Sequence, residues 1–572
     1  MKLSLSFLTF IFLRVFSLQQ VNAQNWSWAL SSEYKKFDAV GASYTNASGI
    51  SVFCGSYTDS IKVGAVKLRN EGAHRFFIAV ADADGNVLNV FSDGEMDLSG
   101  EAYIYDVTLD QQENIIIAGI FYNSPISFHG VTHPCIGPEE LFIAKYTRDG
   151  NFQWVKTFGS TTNGGDILNK IITDESNNIY TTGFFGESDL DLGAITLANT
   201  GNQNTFLSKY DGDGNLLWAK TAVMQGNSMH RYARGTCIAL KSDAVYWLGI
   251  YYGAFTIGGQ TIGSVDAMDD DVYIVSLTRD GEFNWVKKDG GVASDDYARN
   301  AFVLADTMLL VTGYYQGLTS SFAGQTVRNT PDNAQVNTSY YIAAYHADAT
   351  GKWAKPVLVP GTNQSVFSYG NINGMVLDKE LNVWLTGVFR GEIMVGNELQ
   401  YSINSSADIF MIKYNTRTGE QIELIKTGNE KTDYASSLGI DACDQLYCFG
   451  FYRDSLYVGN HLLYNPTVNS AFLAKYETNT NCNVTSVDAL KTESVFLLAP
   501  NPAHEQVQLN LPENISQDYS VSIYNAMGQE EQVYTIHSFD RQMLLPLAVK
   551  PGIYVVQLIA AGKRYTSKLI VE

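Results

Sequence analysis

The chain has 572 residues, with 38 Lys and Arg against 59 Asp and Glu, which gives a formal net charge of −21. An acidic chain without a basic stripe lacks the electrostatic footprint of a nucleic-acid-binding protein. Aromatic residues make up 12% of the chain and charged residues only 17%, a composition that excludes intrinsic disorder and is typical of a β-rich globular protein.

The first 23 residues have the pattern of a secretory signal peptide. Lys2 supplies the positive start, an apolar run follows, and small residues predict cleavage between Ala23 and Gln24. An uncleaved anchor is disfavoured because Arg14 interrupts the short apolar run. No later segment approaches 18 apolar residues in a row, so no transmembrane segment is predicted. The mature chain is expected outside the cytoplasm.

One motif recurs seven times in the following 460 residues or so. Each copy has an apolar strand that ends in Gly with an aromatic residue close by, and then a second apolar-aromatic strand such as Leu141–Tyr146. The seven glycines are Gly55, Gly119, Gly183, Gly249, Gly313, Gly387 and Gly450. A long and regular period means that one supersecondary unit packs against copies of itself.

The copy from residue 101 to residue 158 predicts a four-stranded meander. Its strands are expected at Ile104–Leu109, Ile115–Phe121, Leu141–Tyr146 and Phe152–Thr157. Polar turns separate them, one of the Asp-Gly type that tolerates positive φ. No helical periodicity lies between the strands. The Gly in the second strand is expected where neighbouring backbones or blades approach closely.

The two ends of the repeat region complement each other. The seventh copy has strands predicted at Tyr434–Asp441, Leu446–Tyr452 and Ala471–Tyr476 but lacks the fourth, Trp-bearing strand, which occurs instead near the start of the chain at Asn25–Leu30. Seven sheets arranged radially and closed by this N-terminal strand form a β-propeller without exposed edges. An open solenoid or tandem sandwiches would explain neither the split repeat nor the period.

The Gly-aromatic and Asp-Gly-Asn-Trp units across about residues 25–482 resemble the repeats of seven-bladed propellers in secreted bacterial proteins. This resemblance implies the fold and an extracytoplasmic setting, and it implies no catalytic activity. The predicted fold class is therefore all-β, with a seven-bladed propeller over residues 24–482.

The periodicity stops after Cys482. Residues 483–494 are polar and predict a linker, and residues 495–572 predict a small Ig-like β-sandwich of short alternating strands. The expected strands are Gln506–Leu511, Val521–Tyr524, Val533–Ile536, Gln542–Leu547, Gly552–Leu558 and Arg564–Val571.

This C-terminal module resembles the type A sorting domain of the type IX secretion system, with one departure at Ala499, where many members carry an aromatic residue. The matching residues are Pro500, Asn501, Pro502, Tyr524, Asn525, Gly528, Gln529, Gly552, Tyr554 and Lys568. The resemblance implies a Gram-negative bacterium, a translocon that acts as partner of residues 495–572, and transfer from the periplasm to the cell surface or medium. An ordinary accessory sandwich that binds sugar or protein is the alternative.

Metal and cofactor motifs are weak. His129, His133 and Cys135 offer ligand atoms in one loop, but no second cluster completes a site, and no cofactor is predicted. The six cysteines lack CxxC spacing. A disulfide between Cys443 and Cys482 is conceivable, since Cys443 is expected to lie opposite Leu446 rather than Cys448.

Acidic residues offer two further hypotheses. Asp82–Asn86 and Asp211–Asn215 resemble the start of a calcium loop, but each lies where the repeat makes its hairpin turn. Asp269–Asp271 and Asp295–Asp296 are candidates for the paired acids of glycoside chemistry, although solvated acids at blade entrances are the commoner arrangement. No nucleophile elbow, zinc-protease motif or phosphate loop is present, so no catalytic residue is assigned.

Exposed aromatic pairs would stack on sugars, although most repeat-equivalent rings are expected between blades. The pairs are Tyr251–Tyr252, Tyr314–Tyr315 and Tyr340–Tyr341. The loops Phe322–Ser339 and Phe128–Glu140 are expected to border a ligand site, because insertions in a repeat fold often mark the binding face.

The sequence therefore predicts an exported propeller that serves as a binding or adhesion scaffold, with a glycan or a surface protein as ligand. Two alternatives stay open: an extracellular polysaccharide hydrolase or lyase, and a structural component of the cell surface.

Overall fold

The computed structural model describes residues 25–571 apart from 71–73, 98, 163–164, 227–230, 265–268, 292–293, 305, 330–337, 361–367, 479–496, 500–501, 511–518, 526–529, 537–541 and 561–562. The chain divides into two units, Met1–Asn481 and Cys482–Glu572. Both units consist of β-strands in the described residues, with a single 3-10 turn at Ile403–Ser405. The all-β prediction is confirmed.

Seven four-stranded antiparallel sets follow one another in the described part of the first unit, and we call them blades 1 to 7. Blade 1 uses the second half of Trp26–Thr45, then Ser51–Val63, Arg75–Ala81 and Val87–Asp93. Blade 2 is Glu101–Leu109, Ile115–Tyr122, Glu139–Tyr146 and Phe152–Phe158. Blade 3 is Ile167–Thr173, Ile179–Gly186, Gln203–Tyr210 and Leu216–Thr221, with Val223–Met224 beyond it.

The remaining blades repeat the same order from inner to outer strand. Blade 4 is Tyr232–Lys241, Ala244–Tyr252, Asp271–Thr278 and Phe283–Asp289. Blade 5 is Asp295–Leu304, Met308–Gln316, Thr338–His346 and Gly351–Pro360. Blade 6 is Tyr369–Leu377, Asn382–Arg390, Ala407–Asn415 and Gln421–Thr427. Blade 7 is Asp433–Ile440, Leu446–Val458 and His461–Tyr476. Residues of all seven inner strands line one cavity of about 790 Å³.

The N-terminal strand belongs to two blades. Its first residues, from Trp26 to Ser31, pair antiparallel with Tyr476 to Phe472 as the outer strand of blade 7. The residues from Ser32 onward pair with the second strand of blade 1. These are the pairings that a ring closed by the N-terminal strand would make.

A β-bulge in each inner strand explains the repeat glycines. In blade 5, Ala298 pairs with Gly313 and the ladder shifts by one residue at Arg299. A Cβ at Gly313 would lie 1.7 Å from the carbonyl oxygen of Tyr297, and one at Gly450 would lie 1.8 Å from that of Tyr434. Glycine is thus required in blades 2 to 7, where the carbonyl of the bulged inner strand lies against the second strand. Of the two expected close approaches, the one between neighbouring backbones occurs at these positions, within a blade.

A short hairpin follows the second strand of every blade in the described residues. We call the end of the ring that carries these hairpins the hairpin end. The hairpin strands are Val66–Arg69, Ile126–Phe128 with Val131–His133, Leu190–Asp191 with Thr196–Leu197, Ala254–Ile257 with Gln260–Gly263, Thr319–Phe322 with Gln325–Arg328, Glu392–Val395 with Glu398–Tyr401, and the ends of Leu446–Val458 and His461–Tyr476.

The hairpins cover the outer edge of the preceding blade. Val395 in the blade 6 hairpin pairs with Leu358 of blade 5, and Val63 of blade 1 pairs with Ser32 in the N-terminal strand. Within the described residues, the segments predicted as variable loops therefore contain short strands that contact the preceding blade.

Tryptophans on the outer strands make a second contact between blades. The indole Nε1–H of Trp154 donates to the carbonyl of Gly212 in the next blade at 3.3 Å, and Trp353 donates to Thr416 at 2.9 Å. Trp28 in the N-terminal strand makes the equivalent bond to Ala83 of blade 1, at 3.0 Å. The recurring Lys of the third strand reaches the same carbonyls, as Lys145 does at Gly212 at 2.9 Å.

The second unit is a sandwich of two antiparallel sheets in its described residues. One sheet has the order Leu497–Ala499, Gln506–Asn510, Gln542–Pro546, and the other has the order Glu530–Ile536, Tyr519–Tyr524, Gly552–Ala560, Lys563–Val571. Buried apolar side chains such as Val507, Val521 and Leu569 form its core. The strand Leu497–Ala499 is additional to the six strands expected from the sequence.

Candidate binding site at the hairpin end

The channel between the inner strands is lined mainly by small and apolar residues. The bulge of each inner strand places its extra residue on this lining, as with Tyr105, Asn169 and Arg299. Bulges re-aim side chains in this way in many sheets. Charges within the channel are partly neutralised, since Lys170 pairs with Asp106 at 2.9 Å.

Four half-buried tyrosines form a cluster where the inner strands of blades 4 and 5 begin, at the hairpin end. Tyr297 stacks on Tyr314 with ring centroids 4.2 Å apart, and Tyr232 stacks on Tyr252 at 5.9 Å. Asp270 joins the two pairs, because its carboxylate accepts from the Tyr232 hydroxyl at 2.5 Å and from the Tyr297 hydroxyl at 2.6 Å. We call these five residues the tyrosine cluster.

Burial sets the acid–base properties of the cluster. It raises the pKa of the Asp270 carboxyl, while the two tyrosine hydroxyls oppose that shift by favouring the charged form. Burial and then the hydrogen bond to Asp270 raise the pKa of Tyr297, so its hydroxyl remains a donor at neutral pH. The cluster is therefore a fixed set of donors and rings rather than a reactive acid.

Two arginines flank the cluster. The guanidinium of Arg234 lies 4.3 Å from the Tyr232 ring centroid and 5.1 Å from that of Phe184, and its Nε donates to Gln203 at 2.6 Å. The guanidinium of Arg299 lies 5.7 Å from the Tyr314 ring centroid and also lines the channel. The cluster and the channel are thus continuous through Arg299.

The acids that the sequence offered as a catalytic pair are placed close together but buried. A Cβ at Gly290 would lie 2.4 Å from Asp271 Oδ1 and 2.8 Å from Asp296 Oδ2, so the two carboxylates are no more than about 5 Å apart, a spacing that retaining glycosidases use. Both residues are 0% exposed. Asp296 accepts from the Gly291 amide at 2.6 Å and from the Ser294 hydroxyl at 2.9 Å, and burial raises its pKa to about 7.

Similar acids meet at two other junctions between blades. Between blades 2 and 3, burial and then the charge of Asp166 raise the pKa of Glu140; between blades 6 and 7, burial and then the charge of Asp408 raise the pKa of Asp433. Asp271 and Asp296 occupy the same strand positions as these two pairs, and all six side chains are buried. A structural role at the junctions between blades therefore accounts for Asp271 and Asp296.

The histidine and cysteine loop does not converge on a common point. His129 stacks on Phe152 at 5.7 Å, His133 meets Phe128 edge-on at 5.9 Å, and Cys135 donates its thiol proton to the Gly137 carbonyl at 3.2 Å. No group of three or more His, Cys, Asp or Glu side chains that would hold a metal ion occurs in the described part of the chain.

The calcium-like segments are turns. Asp82 accepts from the amides of Asp84 at 3.0 Å and Asn86 at 2.8 Å, and Asp211 accepts from Asp213 and Asn215 at the same two distances. These are Asx turns, in which the carboxylate satisfies the backbone of its own loop.

The predicted aromatic and loop sites divide between the core and the cluster. Tyr252 and Tyr314 are in the tyrosine cluster, whereas Tyr251, Tyr315 and Tyr341 are 0% exposed. Phe128 and Phe322 are likewise buried in hairpins. Residues 330–337 of the predicted loop Phe322–Ser339 lie outside the described residues. Sequence reasoning missed Tyr232, Tyr297 and both arginines. Arg299 is the bulged residue of its strand, and the other three precede a bulge on the same inner strands, so the bulge beside each repeat glycine was the available signal.

Cysteine pairing differs from the expected register. Ile440, rather than Cys443, lies in register close to the turn and pairs with Leu446. Cys443 is disulfide-bonded, whereas Cys54, Cys135, Cys237 and Cys448 are free thiols. Cys482 lies outside the described residues.

The sorting-domain residues are described in part. Tyr554 is buried and donates to the Lys550 carbonyl at 2.7 Å, and Asn525 donates to Glu531 at 2.7 Å. Pro502 is exposed, and Gly552 and Lys568 lie on neighbouring strands of one sheet. Tyr524 ends the central strand of that sheet. Residues outside the described part are Ala23, Gln24, Pro500, Asn501, Gly528 and Gln529.

Residues 497–572 match the family model of the secretion system C-terminal sorting domain. This match indicates export by the type IX secretion system, so the chain is a secreted or cell-surface protein. No helix in the described residues is long and apolar enough to cross a membrane.

A curated relative supports the repeat interpretation. An uncharacterised WD repeat-containing protein of Acanthamoeba polyphaga mimivirus is 22% identical over 502 residues, which cover 73% of this chain and 34% of the relative. The chain thus spans about a third of the length of the curated relative it matches.

Solved structures with similar topology are distant. An ulvan lyase with bound saccharide has a TM-score of 0.37 and 10% identity, covering 73% of this chain and 93% of its own. A Trypanosoma rangeli sialidase in complex with sialic acid has a TM-score of 0.30 and 9% identity, covering 94% and 83% respectively. Neither likeness says anything about the activity of this chain.

Proposed function

We propose that this exported propeller is a binding or adhesion scaffold that holds an extracellular glycan against the tyrosine cluster. The observation that carries the proposal is the pair of stacked, half-buried tyrosine rings beside the channel, at Tyr297–Tyr314 and Tyr232–Tyr252. Aromatic rings with a hydroxyl provide an apolar face and a polar edge, which suits the two faces of a sugar ring. A surface protein is the second ligand class for the same cluster.

The arrangement of acids favours a binder over a hydrolase or lyase. A glycosidase needs one carboxyl as acid and another as base or nucleophile, both in contact with the substrate. Here the Asp271–Asp296 pair is fully buried, and both Asp270 oxygens are occupied by tyrosine hydroxyls. An exposed pair of carboxylates in contact with the channel would instead favour a hydrolase or lyase.

Export to the cell surface fits this role. The sorting domain at residues 497–572 delivers the chain to the compartment where polysaccharides and other cells are encountered. We further propose that the signal peptide is cut after Ala23 and that the domains divide at residues 482 and 495, with motif residues such as Pro502, Tyr524 and Gly552 engaging the translocon of a Gram-negative host.

Glycan-array binding by the mature chain, residues 24–572, tests the proposal. Tyr314→Leu and Tyr252→Leu remove aromatic faces while keeping apolar volume, and we expect each to weaken binding about 10-fold, in line with the worth of an aromatic contact. Tyr457→Leu is the control, because Tyr457 is 53% exposed on the blade 7 hairpin. Unchanged binding in both cluster variants, or release of cleaved saccharide by the wild type, would contradict the proposal.

A further inference from the structure

In the described part of the chain, two arginines beside the tyrosine cluster form no salt bridge, although the charge of Arg234 lowers the pKa of Asp270. Arg234 makes one hydrogen bond, from Nε to Gln203 at 2.6 Å, and its terminal N–H groups have no acceptor among the described residues. Arg299 makes no hydrogen bond or ion pair within the same part of the chain; its described contact is with the Tyr314 ring at 5.7 Å. Such a pair is unexpected in a chain where acids outnumber bases 59 to 38.

The local structure holds both guanidinium groups in place. Arg234 packs against Tyr232 and Phe184, which fixes its plane and leaves its outer edge available. Arg299 is the bulged residue of its inner strand, so the bulge directs it to the channel lining. Planar guanidinium groups with free forks are suited to carboxylate and sulfate, which they bind through two parallel hydrogen bonds.

The contacts define a continuous row across blades 3 to 5. Phe184 meets Arg234, Arg234 lies over Tyr232, Asp270 bridges Tyr232 to Tyr297, and Tyr297 stacks on Tyr314 beneath Arg299. In order of contact, the residues of the row are Phe184, Arg234, Tyr232, Asp270, Tyr297, Tyr314 and Arg299. The tyrosine rings lie in the middle of the row, and an arginine lies toward each end. This order suits an extended ligand in which sugar rings alternate with negatively charged groups.

We propose that this row binds an acidic polysaccharide, with Arg234 and Arg299 each holding a carboxylate or sulfate and the tyrosines stacking on the sugar rings between them. This rests on the proposed function, and it adds the ligand class. The two nearby acids do not block it: Asp270 is 4% exposed and held by two tyrosines, and Asp295 accepts from the Asp270 amide at 3.3 Å. More distant acids are screened beyond about 8 Å at physiological ionic strength.

Titration of the mature chain with polygalacturonate, dextran sulfate and neutral dextran tests the ligand class. We expect binding to one or both polyanions, with weakening at high salt, and no binding to dextran. Arg234→Gln and Arg299→Gln should each weaken polyanion binding roughly 10-fold, the worth of a hydrogen bond to a charged group. Arg234→Lys should recover only part of it, because an ammonium lacks the planar fork. Arg417→Gln, an exposed arginine of a blade 6 turn, is the matched control.

The two polyanions separate the sources of negative charge. Preference for polygalacturonate assigns the arginines to carboxylates, and preference for dextran sulfate assigns them to sulfates; both support the proposal. Wild-type affinity in both Arg→Gln variants, or binding to vesicles of anionic lipid with none to either polysaccharide, overturns it. If neutral glycans bind and only Tyr314→Leu and Tyr252→Leu weaken them, the binding function stands while the acidic ligand is wrong. If no glycan on the array binds, both proposals fail.

Discussion

At the scale of single residues, most of the recurring residues stabilise the turns within blades and the contacts between blades. In blades 2, 3 and 7, the Asp of the turn after the inner strand accepts from amides two and four residues later. Asp110 accepts in this way from Gln112 and Asn114, both at 2.9 Å. The third-strand Lys145 pairs with that same Asp110 at 2.9 Å while buried. A buried ion pair contributes specificity only when its remaining hydrogen bonds are satisfied, and here the Gly212 carbonyl of the next blade satisfies Lys145.

Gly313→Ala should destabilise the propeller strongly. Its Cβ would lie 1.7 Å from the Tyr297 carbonyl oxygen, so the bulge or the ladder must shift, at a cost of about 3 kcal/mol or more in the free energy of unfolding. Gly263→Ala is the control, because the nearest atom to its Cβ would be Ala254 Cβ at 3.7 Å. Thermal or urea unfolding measures both variants. Equal stability of the two would mean that the bulge does not press on the second strand.

At the scale of elements, the junctions between blades alternate in character. Buried acids from a third strand and the next inner strand meet between blades 2 and 3, 4 and 5, and 6 and 7. Burial raises the pKa of Asp408 to about 7 and, together with Asp408, raises that of Asp433 to about 8. Asp433 is 0% exposed, and its Oδ2 accepts from the Asn429 amide at 3.0 Å. These junctions therefore favour the protonated acid.

Asp433→Asn should reduce the pH dependence of stability. Because the folded-state pKa is raised from 3.8 to about 8, the folded chain holds a proton that the unfolded chain releases, so stability falls as pH rises through this window. Relative to wild type, the variant should gain on the order of 1.4 kcal/mol for each pH unit across the window. Unfolding at pH 5 and pH 9 measures this, with exposed Asp149→Asn as control. A constant difference between variant and wild type would refute the assignment.

Strand positions follow from sequence more directly than the hairpins and the site do. The four strands predicted in residues 101–158 lie within a few residues of Glu101–Leu109, Ile115–Tyr122, Glu139–Tyr146 and Phe152–Phe158, since alternation and turn residues act locally. The hairpin of Ile126–Phe128 with Val131–His133 is not predicted, because its strands have three residues each and only one bridge, between Ser127 and Glu95, joins it to blade 1. The tyrosine cluster joins residues 232 to 314 through one buried Asp, a contact that no local pattern reports.

At the scale of the whole molecule, the first and last strands of the propeller unit meet without a covalent link between them. Trp26 and Tyr476 pack edge-on with ring centroids 5.2 Å apart, and Ser32 exchanges hydrogen bonds with Ala471 at 2.9 and 3.2 Å. The hairpin of blade 1 then pairs with the same N-terminal strand. Stability of the unit should therefore depend on residues far apart in sequence.

Replacing residues 26–31 by a Gly-Ser run of equal length should expose the edge of His461–Tyr476 and cost the unit its cooperative unfolding. An unpaired edge also promotes association between chains, so light scattering should detect oligomers. The same replacement at Glu398–Tyr401, the outer strand of one hairpin, is the matched control and should lower the melting temperature by less. A monomeric variant that melts like the control would show that the N-terminal strand does not close the ring.

Transfer from the periplasm to the surface or medium should depend on the second unit and not on the propeller. Residues 497–572 match a sorting domain, and their two sheets enclose a separate core, so the unit does not need the propeller for its own burial. In a host with the type IX secretion system, deleting residues 495–572 should leave the propeller in the periplasm, and fusing them to a periplasmic reporter should bring the reporter to the surface or medium. Antibodies to each unit, applied to cell fractions, locate the propeller and the reporter and show whether the sorting unit has been removed.

The full-length chain with Gly313→Ala, without a reporter, is the control for retention caused by misfolding. A folding defect should lower the total amount of protein, whereas loss of the sorting signal should change only the location of the protein. Export of the truncated chain at wild-type level would mean that residues 495–572 do not direct secretion and act in ligand binding instead.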